Sequence, residues 1–237
     1  YTGIHTLSLH DALPILLGWV AKRHPGLVSE IFAAGHEVAS HGWGHIISSE
    51  LSETGLREDL ASSKKLLEDI TGSRVYGYRA PCFSVSDRLL EILREEGYRY
   101  DSSLNPFSVH DRYGRLSFSG PCSESFTHPS GIVEFPMPMG KLMGFRIPVS
   151  GGGYFRLYPA WLFIRLVEKQ MEKHDLCVFY MHPWEVDPDQ PRTPVTNLGY
   201  RFRHYYGLGG TMGKLRKLLA VPCEKKRLKD LLPPSVP

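Results

Sequence analysis

Apolar residues at helical spacing alternate with short continuous apolar runs through the first hundred residues. Leu16 to Val20 is the first such run and predicts a buried strand. Pro25 then opens a helix in which Leu27, Ile31 and Ala34 recur on one face, with Gly35 placed to close it in the left-handed conformation. Glu37 to His41 reads as a second strand. A longer helix is predicted from Thr54 to Ile70, with Leu56, Leu60, Leu67 and Ile70 as its apolar stripe and Gly72 behind it. Val75 to Tyr78 is a third strand, Ser86 caps a helix from Asp87 to Glu96, and Tyr98 to Asp101 is a fourth strand. Strands and helices alternating through short loops argue for a parallel α/β sheet or barrel.

The rhythm breaks from Asn105 to Leu157, which is rich in Gly, Pro, Ser and Phe and reads as loops and short strands. Pro159 opens a helix to about His174. Leu176 to His182 (LCVFYMH) is the most strand-like run of the chain, apolar and aromatic, and is expected at the centre of the sheet. Gly151-Gly152-Gly153 lacks the Lys-Ser/Thr of a phosphate loop and reads as a tight turn or close backbone approach. Tyr200 to Tyr206 interleaves Arg with aromatics and reads as a segment packed on the domain. A last helix is expected from Met212 to Leu219.

The chain has 237 residues, 42% of them hydrophobic and 22% charged, which suits one domain, with or without an extension, and excludes global disorder. A net charge of +3 is too small to imply nucleic acid. No apolar run reaches the roughly 18–20 residues of a membrane helix. Cys82, Cys122, Cys177 and Cys223 form no CxxC motif, so neither a zinc knuckle nor a redox pair is indicated, and the compartment stays open between cytoplasm and periplasm. Tyr1 to Ile15 has no signal-peptide charge pattern and is similar to a translated sequencing adapter. It is set aside as a foreign leader, and with no initiator Met a fragment or processed form is expected.

Three polar clusters fall at predicted strand ends, where α/β folds place their chemistry. His41 and His45, in His-Gly-Trp-Gly-His, have the i, i+4 spacing of paired metal ligands, although the glycines argue for a loop rather than a helix; two structural histidines are the alternative. Arg79, before Pro81, has the fork to orient a carboxylate, or the stem to lie along the surface. His182 ends the most apolar run and suits a general acid near neutral pH, or a hydrogen-bonded rim position. Trp184 beside it suits sugar stacking or packing.

In order and spacing these pieces resemble the polysaccharide deacetylases of carbohydrate esterase family 4. His41-Gly42-Trp43-Gly44-His45 looks like the motif that supplies two metal-binding histidines. Arg79-Ala80-Pro81 looks like the groove-wall motif, Asp101-Ser102-Ser103 like part of the next, and Tyr180-Met181-His182 like the one carrying the catalytic histidine. AGHEVASHGWGH, SGGGYFR and HPWEVDPDQPR are closer still to bacterial exosortase-associated, exopolysaccharide-locus members with a C-terminal extension. The resemblance runs from Leu16 to Leu219. It implies a distorted (β/α) barrel lacking its first strand, with a catalytic domain over 16–190 and an extension over 191–237. It also implies hydrolysis of N-acetyl groups from an acetylated amino-sugar polysaccharide, with a divalent metal, zinc first and cobalt, nickel or manganese as alternatives. His41 and His45 would hold the metal, and His182 and Arg79 would be catalytic. Cys82 would donate its backbone N–H to the oxyanion, and Pro81, Trp184 and Asp101 would line the groove.

Two departures matter. Cys82 stands where the family usually has Tyr. The family's Asp-Asp pair, source of the base and a third metal ligand, is absent before Leu16, where Asp11 is the only acid. A glycan-binding protein on the same fold is therefore the competing expectation, and a partner module built on the extension is a third.

Overall fold

The computed structural model describes residues 13–107, 113–117, 124–174, 176–194 and 197–233. The chain divides into two compact units: Tyr1–Pro121 with Ser125–Pro136 and Glu224–Pro237, and Cys122–Glu124 with Met137–Cys223.

The first unit is built on a six-stranded sheet. Its strands are β1 (Ile15–Leu16), β2 (Ala39–Ser40), β3 (Gly77–Tyr78), β4 (Tyr100–Asp101), β5 (Phe126–Thr127) and β6 (Val133–Glu134), in the order β1-β2-β3-β4-β6-β5. All pairs are parallel except β5 with β6. Helices α1 (Gly18–Arg23), α2 (Pro25–Ala33), α3 (Glu53–Thr71) and α4 (Asp87–Glu95) complete the β–α alternation. The helices end where the sequence punctuates them. Ser52 and Ser86 accept the N–H groups of Gly55 (3.2 Å) and Leu89 (3.1 Å) at the starts of α3 and α4. Gly72, at φ +66°, closes α3. Leu56, Leu60 and Leu67 from α3 and Leu89, Leu90 and Leu93 from α4 are buried in one apolar core with Val75, Tyr78 and Tyr98.

Leu16 to Val20 is not one strand. Only Ile15–Leu16 pairs with β2, and the chain turns into α1 at Gly18. Packing decides this: a Cβ on Gly18 would meet the Trp43 ring at 2.6 Å, so a glycine lets the helix start against the loop after β2. Ile15, set aside with the leader, is thus a sheet residue, and residues 1–12 lie outside the described residues.

The second unit holds a hairpin of β7 (Met139–Leu142) and β8 (Phe145–Pro148), then α5 (Gly152–Leu157), α6 (Ala160–Met171), α7 (Leu198–Tyr205) and α8 (Leu208–Leu219). Its core gathers Phe155, Phe163, Val167, Leu215 and Leu218 with Cys177, Phe179 and Met181. Leu176 to His182 is not a central strand. Its single bridge is Tyr180 to Gly151, with Tyr180 N–H donating to Ser150 O (2.7 Å) and Gly152 N–H to Tyr180 O (3.2 Å). The apolar run is explained by side-chain burial among helices, which the strand reading could not separate from burial in a sheet. Gly151 is the close approach expected: a Cβ there would collide with Tyr180 O. Tyr200 to Tyr206 forms the greater part of α7; Tyr200 and Phe202 are exposed, while the Arg203, His204 and Tyr206 carbonyls accept from buried Arg156 and so tie the helix to its unit.

Candidate functional site

The register of the parallel sheet decides what stands at its carboxyl edge. Leu16, Ser40, Tyr78, Asp101 and Glu134 are aligned across β1, β2, β3, β4 and β6. The next residues, His41, Arg79 and Ser102, leave the sheet side by side, tied by His41 N–H to Leu16 O (2.8 Å), Arg79 N–H to Ser40 O (3.1 Å) and Ser102 N–H to Tyr78 O (3.0 Å). Histidine and arginine motifs far apart in sequence therefore meet at one edge.

His41 and His45 converge, their ring centroids 5.0 Å apart and edge to face. His41 Nδ1 lies 2.6 Å from Arg79 O. A carbonyl only accepts, so Nδ1 carries the proton and Nε2 keeps its lone pair, the tautomer of a metal-ligating histidine. The loop between the rings is held by α3: Trp43 N–H donates to Asp59 Oδ2 (2.9 Å). Gly42 has φ +74°, and a Cβ there would fall against the same carboxylate. Burial raises the Asp59 pKa, while the bonds from Trp43 and Gly44 N–H groups lower it. His45 sits at φ +58°, an uncommon conformation for a non-glycine residue. The pair is suited to a divalent metal as two neutral imidazoles. Among the described residues, no group of three His, Cys, Asp or Glu side chains gathers to hold one.

Arg79 is buried rather than laid along the surface. Its Nε donates to Ser102 O (2.7 Å) and its terminal nitrogen to Ser102 Oγ (2.8 Å). It follows that the guanidinium is fixed against the β4 loop. Pro81 starts a 3-10 turn whose donors are Phe83 N–H to Ala80 O (3.0 Å) and Ser84 N–H to Pro81 O (3.1 Å). The Cys82 N–H is not one of that turn's donors. Cys82 and Phe83 both have positive φ, +53° and +57°, a strain of about 1–3 kcal/mol each of the kind that clusters at functional sites.

Asp101 is fully buried and accepts from Ser103 N–H (3.0 Å) and Ser103 Oγ (2.7 Å). Beside it in register is Glu134, a residue the sequence reading missed. Glu134 Oε1 accepts Ser103 N–H (3.1 Å) and Leu104 N–H (2.8 Å), while Oε2 is buried with no donor on it. Burial pushes Glu134 well above the carboxylate range, and the Asp101 charge adds to it; burial also raises Asp101. Adjoining carboxylates share one proton.

His182 lies in the second unit, its side chain about half exposed. Glu185, three residues on, is buried and holds it: Oε1 accepts His182 Nδ1 (2.9 Å) and His182 N–H (3.0 Å), and Oε2 accepts Arg156 Nε (2.8 Å). Arg156, also buried, donates to the Arg203, His204 and Tyr206 carbonyls around the end of α7. Burial alone would raise the Glu185 carboxyl; the bonds from the His182 ring, His182 N–H and Arg156 outweigh it and hold it below the ordinary value. An ionised carboxylate only accepts, so His182 carries its proton on Nδ1 and turns Nε2 outward. Trp184 stacks on His182 (5.6 Å) and on His204 (4.3 Å), with the Arg156 guanidinium over its ring. Trp184 is thus packed against two imidazoles and a guanidinium while remaining partly accessible. The sequence signals for the missed pair were HPWE and GGGYFR, quoted above for their resemblance but without roles for Glu185 and Arg156.

A family model described as polysaccharide deacetylase matches residues 12–100, and one described as a domain of unknown function (DUF3473) matches residues 102–231, more than half the chain. A peptidoglycan deacetylase of Helicobacter pylori is 35% identical over 98 residues, 38% of this chain and 33% of that protein. A peptidoglycan-N-acetylglucosamine deacetylase of Bacillus cereus is 27% identical over 89 residues, 38% of this chain and 41% of that protein. The chain therefore spans between about a third and two fifths of the length of these relatives. A crystal structure from Mycobacterium smegmatis, assigned to the polysaccharide deacetylases, superposes with a TM-score of 0.59 at 20% identity over 93% of this chain and 70% of that one. The chain belongs to the family defined by that DUF3473 domain, its residues 12–100 match the polysaccharide deacetylase model, and its fold is the distorted (β/α) barrel type of the Mycobacterium smegmatis structure.

Proposed function

We propose that this protein hydrolyses N-acetyl groups from an acetylated amino-sugar polysaccharide, with a divalent metal, zinc in the first instance. The observation that supports this most is the convergence of His41 and His45 at the carboxyl edge of the sheet, with His41 Nδ1 bonded to Arg79 O, which fixes the tautomer of a metal-ligating imidazole. His41 and His45 would hold the metal, which when bound acidifies water and polarises the amide carbonyl. His182, whose Nδ1 proton is held by Glu185, would act as the general acid and give a proton to the leaving amine. The Cys82 N–H would donate to the oxyanion, and Arg79, its guanidinium fixed on Ser102, would steady the groove wall that Pro81 and Asp101 support from behind. No residue of this chain is assigned as the base.

Because two imidazoles fall short of the three protein ligands of a catalytic zinc centre, a glycan-binding protein on the same fold is the second reading. Zinc titration with acetate release from acetylated amino-sugar polymers separates them. Turnover that vanishes in His41→Ala supports the deacetylase. Saccharide binding by calorimetry with no acetate released under any metal supports the binding protein.

A further inference from the structure

The β7–β8 hairpin carries a surface outside the residues assigned to deacetylation. Its register pairs Leu142 with Phe145, so Met143 and Gly144 form a two-residue turn, at φ +49° and +85°. Such turns favour Asn-Gly or Asp-Gly, because both central residues need positive φ. Here the first is Met143, strained and 90% exposed, followed by Phe145 at 75%. Two large apolar side chains project from the tip of a hairpin, at a position where a polar residue would cost less.

Behind the tip the surface is cationic. Lys141 and Arg146 face each other across the hairpin. With Lys169 and Lys173 of the α6 region they line an open cleft of about 680 Å³, whose floor includes Leu166 and Gln170. Glu172 is the one acid of that lining, and His174 beside it faces Glu124 at 3.4 Å. None of the four cations takes part in an ion pair among the described residues. At roughly 3.3 Å per residue, Lys141 and Arg146 sit within about 7 Å of the tip along the strands. That distance matches the roughly 5–10 Å to which apolar side chains sink into the headgroup and acyl boundary.

From this arrangement we infer that the hairpin docks on an anionic lipid surface, Met143 and Phe145 entering the interface while Lys141, Arg146, Lys169 and Lys173 meet headgroup phosphates. A soluble polyanion would use the cations and leave the apolar tip without a purpose. A second copy of the chain would set this positive lining against itself.

The test is vesicle flotation of the full chain with equimolar phosphatidylglycerol and phosphatidylethanolamine, against phosphatidylcholine alone. Binding is expected to the anionic vesicles and to weaken with salt. Each basic residue near such a surface contributes on the order of fivefold in partitioning, so Lys141→Ala with Arg146→Ala should lower it on the order of 25-fold. Met143→Asn restores the residue such a turn favours; it should keep or raise the thermal midpoint while weakening vesicle binding, which separates a docking role from a folding role. Equal binding to both vesicle types, Met143→Asn binding as well as the parent, or capture by a soluble anionic glycan with no vesicle binding would each overturn the inference.

Discussion

Replacing Glu185 by Gln removes one charge and almost no volume from a site where three groups depend on that charge. Arg156 is left buried, 3% exposed, without its carboxylate, although its bonds to three carbonyls remain. Breaking a buried ion pair costs about 3–5 kcal/mol, and the amide oxygen recovers roughly 1 kcal/mol as a neutral acceptor, so a loss on the order of 3 kcal/mol is expected. Urea unfolding reads it as a lower midpoint at unchanged slope. The second effect is chemical. An amide can present its NH₂ to His182 Nδ1, which moves the ring proton to Nε2 and blocks that nitrogen from acting as it should; a tautomer error of this kind in a Ser-His-Asp triad costs about 10⁴ in kcat. Nitrogen-15 spectra of the imidazole should therefore show Nδ1 protonated in the parent at neutral pH and a mixed or reversed tautomer in Glu185→Gln. Glu185→Asp, which keeps the charge, should restore part of the parent pattern. Identical tautomers and unfolding midpoints in parent and Glu185→Gln would refute the reasoning.

Further outcomes follow from the first unit. His41→Ala should abolish stoichiometric zinc uptake measured by calorimetry, whereas His182→Ala should leave it unchanged. Gly42→Ala forces a side chain into a left-handed position against Asp59 and should cost on the order of 1–3 kcal/mol in urea, with zinc affinity falling alongside. The Asp101–Glu134 pair predicts a pH dependence. Burial first, then the Asp101 charge, raises Glu134 well above its ordinary value of 4.5, so its contribution to stability is full below about that pH and is lost as pH rises through the folded-state value. Glu134→Gln, which removes the titrating group and stays neutral at every pH, should flatten that decline in thermal midpoints, and an unchanged slope would count against a proton held by this pair.

Local periodicity made the helices legible. The stripes of α3 and α4, with Ser52, Ser86 and Gly72 at their ends, are short-range physics readable in the sequence. Strand length was not legible. Glu37 to His41 pairs only at Ala39–Ser40, because pairing depends on neighbours the sequence does not display. LCVFYMH failed for the same reason: an apolar run reports burial, not what buries it. Histidine and arginine candidates stood out because their motifs are ordered and spaced. Glu134 did not, since it pairs with Asp101 only through the sheet register, and Glu185 and Arg156 did not, since their ion pair spans 29 positions of chain.

Acetate release by the full-length gene product, loaded with zinc, from acetylated amino-sugar polymers puts the central claim to the most direct test, with His182→Ala run beside the parent. The expected result is release by the parent that falls on the order of 10²–10⁴ in the variant while zinc stays bound, as loss of a general acid requires. No release from any such polymer by the zinc-bound parent, or undiminished release by His182→Ala, would contradict it.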